Sequence, residues 1–191
     1  MKTIDKMLKA ATTLLLTKGV EATSVDDVLK ATKTGKSQFY HYFGNKAGMV
    51  DHVIDGLLSD INKGEFCDQK VPAIRDWAEF QVYLQIMGGD HFFGHPLALL
   101  SLTIRPEERL NHLKLVEYFE ALVRPIANFL KSEQDSGRFL KTVDTTEMAQ
   151  MCLTNMIGCS INKVIEQDKA ALNVKNAAHH TTIYMKAYTR V

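Results

Sequence analysis

The chain has 191 residues, a net charge of +1 and 24% charged residues, values that are ordinary for one or two folded, soluble domains. Its three cysteines have no regular spacing, which argues against a disulfide framework and indicates a reducing cytoplasm. A signal peptide is not expected, and the longest apolar run, 96–104, is too short to cross a bilayer. We therefore expect a cytoplasmic protein without a membrane partner.

Charge is distributed unevenly along the chain. Positions 1–50 contain eight lysines and four acidic residues, so this part carries +4 and the rest of the chain carries −3. A basic head on a mildly acidic body fits contact with DNA at one end. A chance scatter of lysines would give the same numbers, so the charge carries weight only together with a motif. No arginine lies in this part, which removes bidentate guanine recognition by Arg.

The first helix is predicted at 3–18 from its apolar periodicity, and Gly19 ends it. Two short helices with a tight break follow within 24–46. Ser24 and Asp27 approximate a capping box at the start of the first of these helices. This arrangement predicts a helix-turn-helix that the first helix braces.

The second short helix is predicted at 36–42, with Gly35 as an acceptable N-cap. Phe39 and Phe43 lie four positions apart and are predicted to point inward. The side chains left for the other faces combine an amide, hydroxyls and positive charge, which suits contact with base edges and phosphates in a major groove. The alternative is that the two tyrosines only pack on neighbouring helices. The candidate DNA-binding residues are Ser24, Lys36, Ser37, Gln38, Tyr40, His41, Tyr42 and Lys46.

Several short segments carry a resemblance to a known family: Ala10–Ala11, Gly19–Val20, Thr23–Val25, Phe39–Phe43 and Lys46. Over positions 4–53 the chain resembles the DNA-binding domain of TetR-family transcriptional regulators. The resemblance implies a helix-turn-helix DNA-binding domain at 1–45 and a helical effector-binding and dimerisation domain at 46–191. Some positions depart from the family pattern, which bears on base preference and on the start of the fourth helix: Lys33–Thr34, Gly35, Ser37 and Gly48.

The rest of the chain is also predicted to be helical, without strand alternation, so the fold class is all-α with about nine helices. Gly48 and Gly56 each cost the fourth helix about 1 kcal/mol relative to Ala, although Gly56 could instead permit close packing. Pro125 is expected to kink the seventh helix, and Asp144 to cap the eighth. The six helices are predicted at 46–63, 73–87, 97–104, 106–136, 145–168 and 174–190, with a loop at 64–72.

The resemblance implies an effector cavity enclosed by the fifth to eighth helices, with an aromatic and polarisable lining. The same side chains would equally make an ordinary core. His91 and His95 beside Asp90 invite a zinc site, but no third histidine or cysteine is near, so no metal and no cofactor is expected. The predicted pocket residues are Trp77, Phe80, His91, Phe92, His95, Tyr118, Phe119, Met148, Cys152 and Met156.

Dimerisation is expected through the last two helices, whose small and apolar residues would build a symmetric four-helix contact. Cys152 and Cys159 are predicted to be packed rather than reactive, because apolar residues surround them. The predicted interface residues are Leu153, Ile157, Ile161, Val164, Thr181, Tyr184 and Tyr188.

These observations predict a DNA-binding transcriptional regulator, a dimeric repressor of a near-palindromic operator that a small molecule releases. One alternative is a constitutive DNA-binding protein without an effector. A remote alternative is an enzyme or metal-binding protein that uses His91 and His95. The chain lacks a nucleophile–base set and a phosphate-binding loop, so no catalytic residue is assigned.

Overall fold

The computed structural model describes residues 2–67, 69–88, 96–104, 109–165 and 170–189, and every structural statement below concerns these residues. Within them, the side chains at 97, 102–103, 109, 160–165 and 170–174 also lie outside the description.

The described residues form an all-α fold, as predicted, with helices along most of the chain. A two-residue antiparallel hairpin, which the sequence did not predict, pairs Glu65 with Lys70 and Phe66 with Gln69. The helices are α1 Thr3–Ala22, α2 Val25–Thr32, α3 Lys36–Phe43, α4 Lys46–Asn62, α5 Trp77–Gly88, α6 Pro96–Thr103, α7 Arg109–Asp135, α8 Thr145–Ile165 and α9 Ala170–Lys186, and the strands are β1 Glu65–Phe66 and β2 Gln69–Lys70.

The chain divides into two compact units. The first consists of Met1–Ser59 and Pro96–Tyr118, where α1 packs against α2 and α6. The second consists of Asp60–His95 and Phe119–Val191, where α5, α8 and α9 pack against one another. Helix α4 begins in the first unit and ends in the second.

The start of α2 confirms the predicted capping box. The Ser24 hydroxyl accepts a hydrogen bond from the amide of Asp27 at 3.1 Å, and the Asp27 carboxylate accepts one from the amide of Ser24 at 3.0 Å. Gly19 breaks the regular helix inside α1 with φ 80°. The left-handed residue that ends α2 is Lys33, with φ 55°, and Gly35 then serves as the N-cap of α3.

Helix α4 starts on a side-chain cap. The amide of Gly48 donates to Oδ1 of Asn45 at 2.8 Å, which is the usual N-cap arrangement. A Cβ on Gly48 would lie 2.1 Å from the carbonyl oxygen of Phe43, so glycine permits the close turn between α3 and α4. Gly56 is exposed and has open space where a Cβ would lie, so it does not serve close packing.

Two predicted helix starts are wrong. Helix α5 begins at Trp77 rather than at 73, because Oδ1 of Asp76 caps it by accepting hydrogen bonds from the amides of Ala78 and Glu79 at 2.8 and 2.9 Å. Helix α9 begins at Ala170 rather than at 174 and ends at Lys186. The predicted cap of α8 is confirmed, since Oδ1 of Asp144 accepts from two amides of the first turn. Helix α7 continues through Pro125.

Candidate nucleic-acid interface

Helix α3 buries two aromatic rings and exposes a polar row. Phe39 and Phe43 are 0% and 5% exposed, and their ring centroids lie 5.0 Å apart. This anchoring fixes the rotation of a helix of only eight residues, so the remaining side chains face away from the core. The exposed residues of α3 are Lys36, Ser37, Gln38, Tyr40 and His41.

The two tyrosines of α3 differ in exposure. Tyr40 is 52% exposed, although its ring makes an edge contact with Phe39 at 5.6 Å. Tyr42 is half-buried, and its ring lies 5.2 Å from that of His41. Both hydroxyls sit at the ends of rigid aromatic side chains in or beside the exposed row, which suits donation to phosphate oxygens.

Three of the predicted contact residues already have partners within the chain. The Lys36 ammonium lies 3.3 Å from the carboxylate of Asp26, with both side chains largely exposed. The Ser24 hydroxyl takes part in the cap of α2. The Lys46 ammonium donates to the carbonyl of Glu21 at 3.3 Å. An exposed ion pair is worth little, so Lys36 can exchange Asp26 for a phosphate or base at small cost.

The predicted effector residues differ in burial, and three of them are not described by the structure. His91, Phe92 and His95 lie outside the described residues. Phe119 and Met148 are half-buried, and the fully buried members are Phe80, Tyr118, Cys152 and Met156.

Trp77, another predicted effector residue, lies in an aromatic cluster of the second unit. Its ring lies 5.3 Å from Phe80 and 5.1 Å from Phe129. The indole N–H donates to the carboxylate of Glu133 at 3.2 Å, and Arg138 donates to the same carboxylate. The cluster therefore joins α5 to α7 through both apolar and charged contacts.

Two clefts of the second unit are each lined by more than one segment of the chain. One, of about 490 Å³, lies between α8 and α9 and includes the predicted residues Cys152, Thr181 and Tyr184. The other, of about 540 Å³, runs along α7 from Ala121 to Ser132 and is also lined by the end of α4 and the segment before α5. The sequence reasoning missed this second cleft, although three polar residues at four-residue spacing were a readable signal: Arg124, Asn128 and Ser132.

The predicted dimer residues lie on α8 and α9. Leu153 is fully buried within the chain, whereas Tyr184 is 50% exposed. The Thr181 hydroxyl accepts a hydrogen bond from the Asn155 amide at 2.7 Å, which joins the two helices. The side chains of Ile161 and Val164 lie outside the described set, and the half-buried residues are Ile157 and Tyr188.

The cysteines of α8 are poorly suited to redox sensing. Burial raises the pKa of the Cys152 thiol to about 12 and also raises the pKa of Cys159. A raised pKa keeps the thiol protonated, and the thiolate is the reactive form. Over the described part of the chain, no group of three or more His, Cys, Asp or Glu side chains is arranged to hold a metal ion. The helices that the structure describes include none that is both long and apolar enough to span a bilayer.

Comparison with known proteins agrees with the helix-turn-helix. Residues 7–53 match the model of the bacterial regulatory proteins of the tetR family. Residues 7–53 therefore form a TetR-family DNA-binding domain. This DNA-binding match covers α2, α3 and most of α1, and it reaches Val53 in α4.

Relatives of the chain are named as transcriptional regulators. An uncharacterized HTH-type transcriptional regulator in the lacX 3′ region of Lactococcus lactis subsp. lactis is 28% identical over 142 residues, 68% of this chain and 69% of that protein. The HTH-type transcriptional repressor KstR2 of Rhodococcus jostii is 36% identical over 56 residues, 29% of this chain and 28% of that protein. A TetR transcriptional regulator from Chloroflexus aurantiacus shares the fold, with a TM-score of 0.80, 15% identity, and coverage of 99% of this chain and 96% of that chain.

Proposed function

We propose that this regulator is a dimeric repressor that binds a near-palindromic operator through α3 and leaves it when a small molecule binds the helical part of the chain. The observation that carries the proposal is the exposed row of α3, held outward by two buried phenylalanines. Gln38 is the best-placed reader of a base, because an amide pairs with both hydrogen-bonding groups of adenine in the major groove. We assign DNA binding to 1–45 and effector binding to 46–191.

Base contacts are assigned to Lys36, Ser37 and Gln38, with Tyr40 or His41 beside them. Phosphate contacts are assigned to Ser24, Tyr42 and Lys46, whose internal partners hold them in place at the edge of the helix-turn-helix. With no arginine in the first fifty residues, the operator positions facing α3 are expected to favour A·T pairs over G·C pairs.

A dimer is supported by apolar side chains that α8 and α9 leave in solvent. Met151, Ile183 and Tyr184 are 45%, 52% and 50% exposed. Burying such a surface against its own copy gives a two-fold contact in which the same residues meet from both sides. Two recognition helices would then lie roughly 34–36 Å apart, or a multiple of that distance, which matches successive major grooves on one side of DNA.

Repression relieved by an effector is supported more indirectly. A relative that is 36% identical over 56 residues is named a transcriptional repressor. Helix α4 follows α3 after two residues and ends at Asn62, beside the cleft along α7. An effector acts only through unequal affinity for two states, and a coupling of about 2–3 kcal/mol would lower operator affinity by roughly a hundredfold. We assign that coupling to α4.

The test is binding of the purified protein to DNA that flanks its own gene, at two salt concentrations. We expect saturable binding that resists competitor DNA and protects a two-fold symmetric site. Gln38→Ala should abolish the preference over competitor DNA, whereas Gln69→Ala, an exposed glutamine of the hairpin, should leave it unchanged. Binding that ignores sequence and falls steeply with salt would instead favour a constitutive DNA-binding protein.

A further inference from the structure

The cleft along α7 is built within the second unit by three parts of the chain. Helix α4 contributes its last two residues, Ile61 and Asn62, and the segment 71–74 and helix α7 supply most of the other lining residues. The volume of the cleft, about 540 Å³, is within the range of small-molecule sites. We call it the Arg124 cleft.

A single positive charge distinguishes the Arg124 cleft. No carboxylate is among the described residues that line it. Two other described arginines are matched by carboxylates, Arg75 by Glu79 at 2.6 Å and Arg138 by Glu133. Among the residues that the structure describes, Arg124 has no such partner, and its guanidinium keeps all of its donors for a ligand.

Polar groups continue from Arg124 along the same face of α7. Asn128 and Ser132 follow at four-residue spacing, so the three side chains lie above one another. The Ser132 hydroxyl donates to the carbonyl of Phe129 at 2.8 Å, which leaves its oxygen to accept from a ligand. The Asn128 amide can both donate and accept.

Most of the other lining residues are apolar. Val71, Pro72 and Ile74 are half-buried and line the same cleft as the polar row. Tyr83 is buried and also lines the cleft, and its hydroxyl donates to the carbonyl of Leu122 at 2.7 Å. Burial raises the pKa of Tyr83, so this side chain remains neutral and adds no charge to oppose an anion.

We infer that the Arg124 cleft binds an amphipathic monoanion, a small carboxylic acid with an apolar chain. Its carboxylate would accept paired hydrogen bonds from the Arg124 guanidinium, the geometry that guanidinium and carboxylate share. Its chain would lie against Val71, Pro72 and Ile74. This inference rests on the proposed effector control, and it places the effector against Ile61 and Asn62, the end of α4.

The test uses octanoate as the probe with the full-length protein, measured by titration calorimetry. Octanamide, which has the same chain without the charge, is the matched ligand. We expect saturable binding of octanoate at submillimolar concentration and at least tenfold weaker binding of octanamide. Arg124→Met should weaken octanoate binding at least tenfold, while Lys141→Met, the loss of an exposed charge outside the cleft, should not change it.

Equal binding of octanoate by the wild type and Arg124→Met, or equal binding of octanoate and octanamide, would overturn the inference. Circular dichroism and thermal unfolding establish that both variants are folded. Operator binding by the wild type is measured in parallel. If the protein binds its operator but not octanoate, the inference about the Arg124 cleft is wrong and the proposed repressor function stands. If octanoate binds in a way that depends on Arg124 but no specific operator binding is found, the ligand assignment is supported and the proposed repressor function is contradicted.

Discussion

The Lys114 ammonium of α7 lies 2.8 Å from Oδ1 of Asp51 on α4, with both side chains only 20% exposed. The same nitrogen lies 2.7 Å from Oδ2 of Asp55, one turn further along α4. One cation thus joins two carboxylates within the first unit. Helix α4 begins two residues after α3, so this contact bears on how firmly α4 is held beside the helix-turn-helix.

Replacing Lys114 by Met should destabilise the fold. The methionine keeps the apolar stem but leaves Asp51 largely buried without a cation, a cost of about 2 kcal/mol, between the values for exposed and buried pairs. Urea denaturation measures it. Lys131→Met, which breaks the exposed pair with Asp135, is the control and should change stability by less than about 0.5 kcal/mol. Equal losses in the two variants would contradict the prediction.

The contribution of Lys114 should also depend on pH in a defined direction. Burial opposes its charge, but the hydrogen bonds and charges of Asp51 and Asp55 prevail and raise the pKa of Lys114 above its usual 10.5. A raised pKa in the folded state contributes stability that is complete below the unfolded value and is lost as pH rises through the folded value. The stability difference between wild type and Lys114→Met should therefore stay constant to about pH 10 and shrink above it.

The capping box of α2 makes an acid-sensitive contribution. Hydrogen bonds from the backbone and hydroxyl of Ser24 hold the pKa of Asp27 below its usual value. A lowered pKa contributes stability above the unfolded value of 3.8 that is lost as pH falls through the folded value. Asp27→Asn should remove this acid dependence, and comparing the unfolding of the two proteins from pH 6 to pH 2 measures it.

The other side chain of the capping box, the uncharged Ser24 hydroxyl, can be removed separately. Ser24→Ala should cost about 1 kcal/mol at pH 7, the usual worth of an N-cap hydroxyl. Ser101→Ala serves as the control, because the Ser101 hydroxyl only bonds back to Ala98 within α6. A loss in Ser101→Ala as large as in Ser24→Ala would argue that the effect is not capping.

Glu133 should be the most costly polar side chain to remove from the second unit. Its buried carboxylate accepts from the indole of Trp77 and from Arg138, so Glu133→Ala leaves the half-buried indole N–H unpaired and should cost about 2 kcal/mol. Trp77 is the only tryptophan, so its emission reports the change directly. Glu133→Gln should lower the free energy of unfolding by less, because the amide oxygen can still accept hydrogen bonds. Glu79→Ala, which breaks an exposed pair with Arg75, should leave the emission unchanged.

Gly56→Ala should stabilise the protein by about 1 kcal/mol, because α4 gains helix propensity and the new methyl group meets open space. Gly158→Ala in α8 has the same open space and is the control for propensity alone. If α4 transmits the effector signal, only Gly56→Ala should change the effector concentration that releases the operator. Unaltered release in a stabilised Gly56→Ala protein would count against α4 as the carrier.

The helix-turn-helix could be predicted from the sequence because its determinants are local. The capping box joins residues three apart, and the two phenylalanines of α3 lie four apart on one helical face. The start of α5 was also local, since Asp76 is a standard N-cap residue, but the apolar periodicity continues upstream and concealed it. Periodicity likewise gave no sign of the short hairpin, whose strands have two residues each.

The amino-acid sequence by itself determined the class of protein, the all-α fold and the face of α3 that looks outward. Only the tertiary structure decided which distant residues meet, Trp77 with Glu133 and Lys114 with Asp51, and that the end of α4 lines one cleft with Arg124. Helical periodicity records which face of an element is buried, because burial repeats every turn. It does not record which other helix packs against that buried face, since that depends on packing among residues more than fifty positions apart.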